Sequence, residues 1–405
     1  MSRSAHQPEA DGGAGIGRGL LALMAIGSGF AVANLYYIQP LLPDIGRTFS
    51  VSASAMGLVF TLAQLGFATG VLFFVPLGDI GDRRRLIVVM LAGAAISLAA
   101  VAMSRSLPWI AVAMFFVGAF SVTPQMFVPF AAHLAAPERR GRALGVVMSG
   151  LLIGILASRT ASGFIGAATG WRVMFRMASG ATLAVAAVMA ATLPRSVGVS
   201  RLSYGRLIGS LWHFTRTEPL LRESALAGAM LFAAFSAFWS MLAFRLEMPP
   251  LHYGSQVAGL FSLVGVAGAA AAPIAGRLAD RFNPRVNVHI ALLMTAGAFV
   301  VFALYGQTIA GLVVGVIVLD AGVQAGHVTN LSRVHSLSPE ARNRVTTIYM
   351  VTFFLGGAAG SALAAYAWQH WRWAGVCAVG ALMPLVATIN MVAHELRSST
   401  AEVRS

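Results

Sequence analysis

Long apolar stretches, separated by short polar turns, follow one another along the whole chain. A helix needs about 20 apolar residues to cross roughly 30 Å of hydrocarbon. Twelve stretches of this length can be placed, six in each half. The pattern therefore predicts an all-α integral membrane protein with twelve transmembrane helices in two pseudo-symmetric six-helix bundles. The predicted spans are residues 18–40, 54–77, 86–104, 109–133, 143–167, 172–194, 222–246, 254–276, 287–306, 308–332, 345–367 and 372–394.

The two halves share short polar motifs at a separation of about two hundred residues, which is typical of an internal duplication. Residues 78–83 (GDIGDR) recur as residues 276–281 (GRLADR), after the second and the eighth predicted span. Chance supplies one such pair easily, but hardly several in the same order. The further matches are Pro137-Glu138 with Pro339-Glu340, His133 with His335, Trp171-Arg172 with Trp371-Arg372, and Gly57 with Gly259.

Small residues recur at every fourth position of two equivalent spans. In the fifth span they are Gly150, Gly154, Ser158, Ser162 and Gly166, and in the eleventh they are Gly356, Gly360 and Ala364. Because small residues let neighbouring backbones approach closely, these stripes predict close helix packing in both halves.

Composition excludes a soluble domain. Hydrophobic residues make up 58% of the chain and charged residues 10%, and the mean hydropathy is +0.77, far from the values of soluble proteins. The net charge of +14 comes from arginine, because the chain contains no lysine. These arginines form short clusters at the ends of the spans and assemble no groove, so no nucleic-acid partner is expected.

The positions of the arginines predict the orientation of the chain, because cytoplasmic loops of membrane proteins are rich in basic residues. With both termini in the cytoplasm, the cytoplasmic clusters are those at 83–85, 139–142, 195–222, 277–285 and 333–344. The opposite face then carries only Arg47, Arg105, Arg172, Arg245 and Arg372. We therefore expect both termini to be cytoplasmic.

The same pattern divides the chain into five parts. They are a cytoplasmic tail (1–17), a first six-helix bundle (18–194), a cytoplasmic linker (195–221), a second six-helix bundle (222–394) and a second cytoplasmic tail (395–405). In the linker, Tyr204, Leu207, Leu211 and Phe214 have helical spacing, which predicts a helix lying in the membrane interface. The lone cysteine, Cys377, falls in the last span, so neither a disulfide framework nor a thiolate metal site is expected.

Two six-helix halves with a Gly-x-x-x-Asp-Arg turn after the second and eighth spans resemble the major facilitator superfamily of secondary transporters, over essentially the whole chain. Residues 34–43 (NLYYIQPLLP) and 320–327 (DAGVQAGH) are similar to a bacterial drug-exporter-like branch. The resemblance implies a mid-membrane cavity between the halves, lined mainly by spans one, four, seven and ten. It also implies rocking between inward-open and outward-open states, and a monomer in the bacterial inner membrane.

In that superfamily the repeated turn holds the two halves in one conformation. The resemblance therefore implies a conformational latch made of Gly78, Asp82 and Arg83 in the first copy and Gly276, Asp280 and Arg281 in the second. Glycine permits close approach, aspartate caps a helix or pairs with arginine, and arginine holds the loop at the anionic membrane surface. The alternative is that the turn only sets the topology.

Asp320 is the one acidic residue, of fourteen, that falls well inside a predicted span. Because a charge in the bilayer is costly unless it is paired or hydrated, such a residue indicates a functional site. Asp320 is thus the leading candidate for proton coupling. Gln324 and His327 follow it on the same helix face, and Asn330 lies toward the flank. This stripe either lines the cavity, with His327 relaying protons and the two amides binding substrate, or joins neighbouring helices.

The first half also has an unusual charge inside a span, Arg159 in the fifth span. Its predicted depth differs from that of Asp320 by about 6 Å, at about 1.5 Å per residue. The two side chains can therefore meet as an ion pair that protonation or an anionic substrate breaks; a purely structural pair is the alternative. The remaining cavity candidates are Asn34 and Tyr37 in the first span, Gln125 in the fourth and Trp239 in the seventh.

Three functions compete at this point. The first is a proton-coupled exporter of a small organic molecule, favoured by the branch-like segments and by Asp320. The second is a proton-coupled uptake symporter for a sugar or an organic acid, which the same scaffold would serve. The third is a membrane sensor that transports nothing. An enzyme is not expected, because no nucleophile–base pair and no metal-binding spacing such as His-x-x-x-His occurs, and no cofactor is expected either.

Overall fold

The structure is a computed structural model, and it describes residues 16–196, 203–265, 283–337 and 341–402. The described residues form helices joined by short turns, and none of them forms a β-strand. Ten helical segments among them are long and apolar enough to cross a bilayer. The predicted all-α membrane architecture is confirmed.

The first half of the chain contains six predicted spans, and helices occur in all of them. They are α1 (Arg18–Tyr36), α2 (Leu42–Phe49), α3 (Ala53–Phe73), α4 (Leu77–Ile80), α5 (Arg83–Ala102), α6 (Leu107–Phe120), α7 (Pro124–Leu134), α8 (Arg140–Thr169) and α9 (Trp171–Thr192). The short helices α2 and α4 lie in turns after the first and second spans. The fourth span is shared by α6 and α7.

Proline accounts for two differences from the predicted spans of the first half. The first span was expected to reach residue 40, but α1 ends at Tyr36 and a 3₁₀ turn at Gln39–Leu41 follows, because Pro40 lacks a backbone N–H and clashes with the preceding turn. The fourth span is interrupted at residues 121–123, and Pro124 begins its second part. The early end of α1 leaves Gln39 buried, at 3% exposure.

The second half follows the linker. Its helices are α10 (Tyr204–Thr217), α11 (Pro219–Glu247), α12 (Ser255–Gly265), α13 (Pro284–Tyr305), α14 (Ile309–His335) and α15 (Arg342–Glu402). Helix α10 lies in the predicted linker with Leu207 and Leu211 buried; its place at a membrane interface stays a prediction. Helix α15 contains the last two predicted spans, separated by non-helical backbone at Arg372 (φ 51°, ψ −139°).

Small residues bring helices of each half into backbone contact. In the first half, Gly150 and Gly154 of α8 lie against α1, so a β-carbon added at Gly154 would collide with the backbone oxygen of Gly29. In the second half, Gly356 and Gly360 of α15 lie against α11 in the same way. The close packing predicted from the small-residue stripes is therefore present, and at equivalent positions in the two halves.

We expect Gly154→Ala to lower thermal stability, because the new methyl group must push α8 away from α1, and overpacking of this kind costs about 1–3 kcal/mol. Gly145→Ala is a matched control on the same helix, since nothing lies within 4 Å of the added carbon and alanine favours a helix over glycine by about 0.5–1 kcal/mol. Scanning fluorimetry of the purified full chain in detergent measures both. Equal melting temperatures for the two variants would contradict the close α1–α8 contact.

The two halves meet through two equivalent hydroxyl pairs. Between α3 and α15, the hydroxyl oxygens of Thr61 and Ser361 lie 2.8 Å apart. Between α8 and α12, those of Thr160 and Ser262 lie 2.9 Å apart. Thr61 corresponds to Ser262, and Thr160 to Ser361, at the separation of about two hundred residues set by the duplication. The duplication has therefore produced the same contact twice across the interface.

Polar contacts also join the halves at the two ends of the bundle, which we call the Glu247 end and the Asp79 end. At the Glu247 end, Arg47 Nη1 donates to both carboxylate oxygens of Glu247 at 2.8 Å. At the Asp79 end, Asn343 Nδ2 donates to Asp79 Oδ1 at 3.1 Å. The hydroxyl pairs lie nearer the Glu247 end. The two halves are thus in polar contact at both ends of the bundle in this structure.

Candidate functional site

Arg159 lies between the two halves and is almost completely buried, at 2% exposure. Helix α8 carries it, and the turn after α1 supplies its hydrogen-bond acceptor: Arg159 Nε donates to Gln39 Oε1 at 2.5 Å. Its guanidinium carbon lies 4.5 Å from the ring centre of Tyr36 and 4.1 Å from that of Trp239. Aromatic faces at this distance attract a cation electrostatically. Rings therefore surround the charge of Arg159.

Asp320 lies on α14 in the second half and is also buried, at 8% exposure. Trp239 Nε1 donates to Asp320 Oδ1 at 3.5 Å and is the one hydrogen-bond donor to this carboxylate within the described ranges. The second oxygen, Oδ2, lies against α12, where a β-carbon added at Gly265 would collide with it. A buried carboxylate with one long hydrogen bond is poorly compensated for the loss of water.

Trp239 of α11 contacts both charged side chains. Its ring face contacts Arg159, and its indole nitrogen donates to Asp320. No salt bridge within 4.0 Å joins Arg159 to any carboxylate of the described residues. The ion pair expected between Arg159 and Asp320 is therefore not formed as a direct contact in this structure, because the guanidinium lies over the Trp239 ring and the carboxylate lies at its indole N–H. The two charges are instead linked through one aromatic side chain.

The polar stripe of α14 contacts several different neighbours. His327 Nδ1 lies 3.1 Å from the hydroxyl of Tyr349 on α15, and the buried Asn330 accepts a 3.5 Å hydrogen bond from Arg333. Gln324 is half-buried, and its side chain makes no hydrogen bond within the described part of the chain. The stripe is therefore not a single cavity wall: near Asp320 it faces α11 and α12, and near His327 it faces α15.

The cavity residues predicted in the first half lie in different surroundings. Asn34 is fully buried and accepts a 3.2 Å hydrogen bond from Thr182 of α9, so it lies at a contact within the first half. Tyr37 is buried at the end of α1, but the neighbouring Tyr36 is the one that faces Arg159. Gln125 is half-buried at the start of α7. The structure thus brings Trp239, and neither Asn34 nor Tyr37, into contact with Arg159.

The first copy of the repeated turn makes contacts mainly within its own half. Asp82 caps α5 by accepting a 3.0 Å hydrogen bond from the backbone N–H of Arg84, and Arg83 Nε donates to the carbonyl of Gly78 at 3.0 Å. The contact that reaches the other half is made by Asp79, the residue after Gly78. The second copy, with Gly276, Asp280 and Arg281, lies outside the described residues.

A buried ion pair near the Asp79 end was not predicted. Arg333 Nη2 of α14 donates to Glu223 Oε1 of α11 at 2.5 Å, and the two side chains are only 6% and 3% exposed. Arg285 Nη2 of α13 lies 3.5 Å from the other Glu223 oxygen. The sequence places Glu223 and Arg333 at the ends of spans, where side chains usually reach water. Their burial follows from the packing of α11 against α14.

We expect Arg333→Met to destabilise the protein by about 3–5 kcal/mol, because it leaves the Glu223 carboxylate without its closest buried partner. The double variant Glu223→Gln with Arg333→Met should recover much of the loss, since neither charge is then stranded. Arg47→Met is the control: the Arg47–Glu247 pair has side-chain exposures of 61% and 28%, and exposed pairs contribute about 0–1 kcal/mol. Similar melting temperatures for Arg333→Met and Arg47→Met would contradict a stabilising buried pair.

A small cavity of about 10 Å³ remains beside Arg159, enough for about one water molecule. Gln39, Pro40 and Arg159 line it from the first half, and Trp239, Leu242, Ala243 and Ala258 line it from the second. Its walls therefore come from both halves.

Comparison with known proteins identifies the scaffold. The profile of the Major Facilitator Superfamily matches residues 24–331 and, in a second overlapping match, residues 255–403. The chain belongs to the Major Facilitator Superfamily. Within this superfamily, the chain is 44% identical over 367 residues to the putative uncharacterized transporter YgaY of Escherichia coli K12, covering 91% of this chain and 93% of that one.

Two further similarities agree with the superfamily. The chain is 36% identical over 392 residues to the probable transporter SCO4007 of Streptomyces coelicolor, covering 96% of this chain and 90% of the relative. Among solved structures, the nucleoside transporter NupG superposes with a TM-score of 0.72 at 14% identity, covering 92% of this chain and 99% of that one. The relatives are named transporters, so this superfamily member is a membrane transporter; the NupG likeness shows the fold alone.

Three residues of the site in this superfamily member were not predicted from the sequence. Tyr36 and Phe235 place rings 4.5 Å and 5.7 Å from the Arg159 guanidinium carbon, and Gln39 accepts its hydrogen bond. A signal existed for Gln39, since it is an amide at the end of an apolar span. No signal in the sequence indicated that Tyr36, and not Tyr37, faces Arg159, because adjacent residues of a helix differ in direction only by a rotation of about 100°.

Proposed function

We propose that the protein is a proton-coupled secondary active transporter that moves a small organic molecule by alternating access, and that Asp320 carries the proton. The supporting observation is the Asp320 environment: a buried carboxylate whose one donor among the described residues is Trp239, at 3.5 Å. Protonation removes the cost of keeping this charge out of water. A proton taken up at one membrane face can therefore be carried to the other.

Arg159 and His327 are assigned to the same coupling step. Arg159 lies over the face of the Trp239 ring and Asp320 lies at its indole N–H, so neutralising Asp320 changes the field at Arg159 and the hydrogen bond that holds Trp239. His327 contacts Tyr349 on α15 and offers a second exchangeable proton on α14. We propose that Trp239, Gln125 and Gln324 contact the substrate when the halves separate; Asn34, Tyr37 and Asn330 are proposed as support for the cavity.

We propose that the Asp79 end is cytoplasmic, because Arg83, Arg84, Arg85, Arg139 and Arg140 lie there. Both termini are then cytoplasmic, and the protein is a monomer in the bacterial inner membrane. The turn that contains Gly78, Asp82 and Arg83 would act as a latch at this end, with Asp79 making the contact between halves. The second copy, Gly276, Asp280 and Arg281, is proposed to act in the same way.

Efflux by proton antiport is the proposed direction, on the similarity of residues 34–43 and 320–327 to exporters. Uptake by symport is a second candidate, and one observation favours it: Arg159 has no acidic partner among the described residues. Protonation of Asp320 would remove its repulsion of an anion at Arg159, so proton and anion would assist each other's binding. The direction therefore depends on whether proton and substrate exclude or assist each other.

Proteoliposomes with an imposed pH gradient test the proposal. The probes are benzenesulfonate, glucose and benzyltrimethylammonium, which are anionic, neutral and cationic and cross lipid slowly by themselves. Probe movement with the proton flow, above that of protein-free liposomes, indicates symport; movement against it indicates antiport. The proposal fails if a probe that binds the purified protein does not respond to the gradient.

A further inference from the structure

We propose that the cavity between the halves, which has room for about one water molecule in this structure, widens when the halves part and then binds an organic anion, a carboxylate or sulfonate on an apolar body, whose charge Arg159 binds. The inference rests on the proposed transport function of this cavity, because it names the class of molecule carried. It bears on the direction of transport, because an anionic substrate favours the symport candidate over antiport. Four features of the site lead to it.

The first feature is a buried cation that has no carboxylate in direct contact among the described residues. Arg159 is 2% exposed, and its Nη2 atom has no hydrogen-bond partner among the residues that the structure describes. No carboxylate of the described residues lies within 4.0 Å of it. A buried charge with an unsatisfied donor is costly unless a partner arrives. The group that would satisfy it is an acceptor with negative charge.

The second feature is another hydrogen-bond donor of the same cavity that has no acceptor among the described residues. Gln39 uses its oxygen to accept from Arg159 Nε, and its amide Nε2 is buried and has no partner in the described part of the chain. Gln39 and Arg159 line the cavity side by side. Carboxylate and sulfonate oxygens only accept hydrogen bonds, and charge-assisted bonds to arginine are among the strongest. One anionic group can therefore satisfy both donors, whereas an ammonium group satisfies neither.

The third feature is the apolar character of the other walls. Pro40 of the first half and Trp239, Leu242, Ala243 and Ala258 of the second half complete the cavity lining. The rings of Tyr36 and Phe235 also lie beside the guanidinium. Sites with a few placed polar groups and apolar walls bind molecules with an apolar body. The site therefore favours an aromatic or aliphatic acid over a small inorganic anion.

The fourth feature is the nearby carboxylate. Asp320 lies beyond Trp239, which contacts both charged residues. When Asp320 is ionised, its field opposes an anion at Arg159; when it is neutral, that repulsion is absent. Neutralising Asp320 should therefore strengthen anion binding. An anionic substrate consequently favours joint binding of proton and substrate, as in the symport candidate.

The test is equilibrium binding to the purified full chain in detergent, with no pH gradient, measured by thermal stabilisation and by isothermal titration calorimetry. The probes are two matched pairs, benzenesulfonate with benzenesulfonamide and benzoate with benzamide, together with benzyltrimethylammonium. We expect both anions to bind at least about tenfold more tightly than their neutral partners, as the free energy of one charge-assisted contact requires. Equal binding of anion and amide to the wild-type protein, or no binding of either anion, overturns the proposal without any variant.

Variants then locate the contact. Arg159→Met should weaken benzenesulfonate binding by about tenfold or more, and Arg159→Lys should restore part of it. Arg176→Met, at an exposed arginine of α9, is the matched control and should bind as the wild type does. Asp320→Asn should bind the anion more tightly. Anion binding that survives in a folded Arg159→Met protein contradicts the assignment. A wild-type protein that binds the anion but does not respond to an imposed pH gradient would instead sink the proton-coupling proposal, so the two failures are distinguishable.

Discussion

Asp320→Asn is expected to abolish accumulation of substrate in response to a pH gradient while leaving downhill exchange intact. Asparagine keeps the shape of the side chain, and its amide oxygen still accepts from Trp239 Nε1, which lies 3.5 Å from Asp320 Oδ1 in the wild type. It cannot exchange a proton, so substrate movement and proton movement become uncoupled. In proteoliposomes, the gradient-driven accumulation ratio should fall to about one, while counterflow between equal concentrations continues.

Glu138→Gln is the control for loss of a carboxylate, because Glu138 is exposed in the turn before α8. It should leave the accumulation ratio unchanged. If Asp320→Asn still concentrates substrate when the gradient is applied, the proton is carried elsewhere, and His327 becomes the next candidate. If counterflow is lost as well, Asp320 is needed for the movement of the halves or for binding and not for coupling alone.

Hydropathy was sufficient to predict the spans, because a bilayer requires long apolar helices with internally paired backbones. It could not place the breaks within the spans. The end of α1 at Tyr36 and the break before Pro124 depend on single prolines, whose effect on an apolar helix depends on whether neighbouring groups satisfy the freed backbone. The small-residue stripes predicted close packing correctly, because they act through backbone distance and need no particular side-chain orientation.

The side-chain contacts of the site were harder to predict from the sequence than the spans, because they join residues that are far apart in the chain. Arg159 and Asp320 were recognised as unusual because charge is rare inside spans, yet their pairing depended on what lies between them. In the structure each of them contacts Trp239 and they do not contact each other directly. The Glu223–Arg333 pair shows the same limit: each residue is unremarkable at the end of its own span, and only the packing of α11 on α14 buries both.

The duplicated chain combines symmetric contacts with an asymmetric site. The hydroxyl pairs Thr61–Ser361 and Thr160–Ser262 are equivalent, and so are the glycine contacts within each half. Arg159 and Asp320 have no ionisable equivalents in the opposite halves. Equivalent contacts are compatible with a motion in which the two halves rotate by similar amounts. The proposed binding of substrate and proton, in contrast, uses a cation in one half and a carboxylate in the other.

A disulfide between α3 and α15 is expected to stop transport completely. Thr61→Cys with Ser361→Cys places two sulfur atoms where hydroxyl oxygens lie 2.8 Å apart, within reach of a disulfide of about 2.0 Å. If alternating access separates the halves at the Glu247 end, these helices must part once in each cycle, and the bond prevents it. The native Cys377 should be replaced by serine in this experiment, so that only the engineered thiols react.

The expected result is full loss of gradient-driven transport under oxidising conditions and recovery after reduction. The duplication predicts the same result for Thr160→Cys with Ser262→Cys, because α8 and α12 make the equivalent contact. A disulfide within one half is the control: Ser179 of α9 donates to the carbonyl of Ala95 of α5 at 2.7 Å, and Ala95→Cys with Ser179→Cys should leave transport unchanged. Transport that continues with either inter-half disulfide formed would show that this interface stays closed throughout the cycle, and the moving gate would have to lie elsewhere.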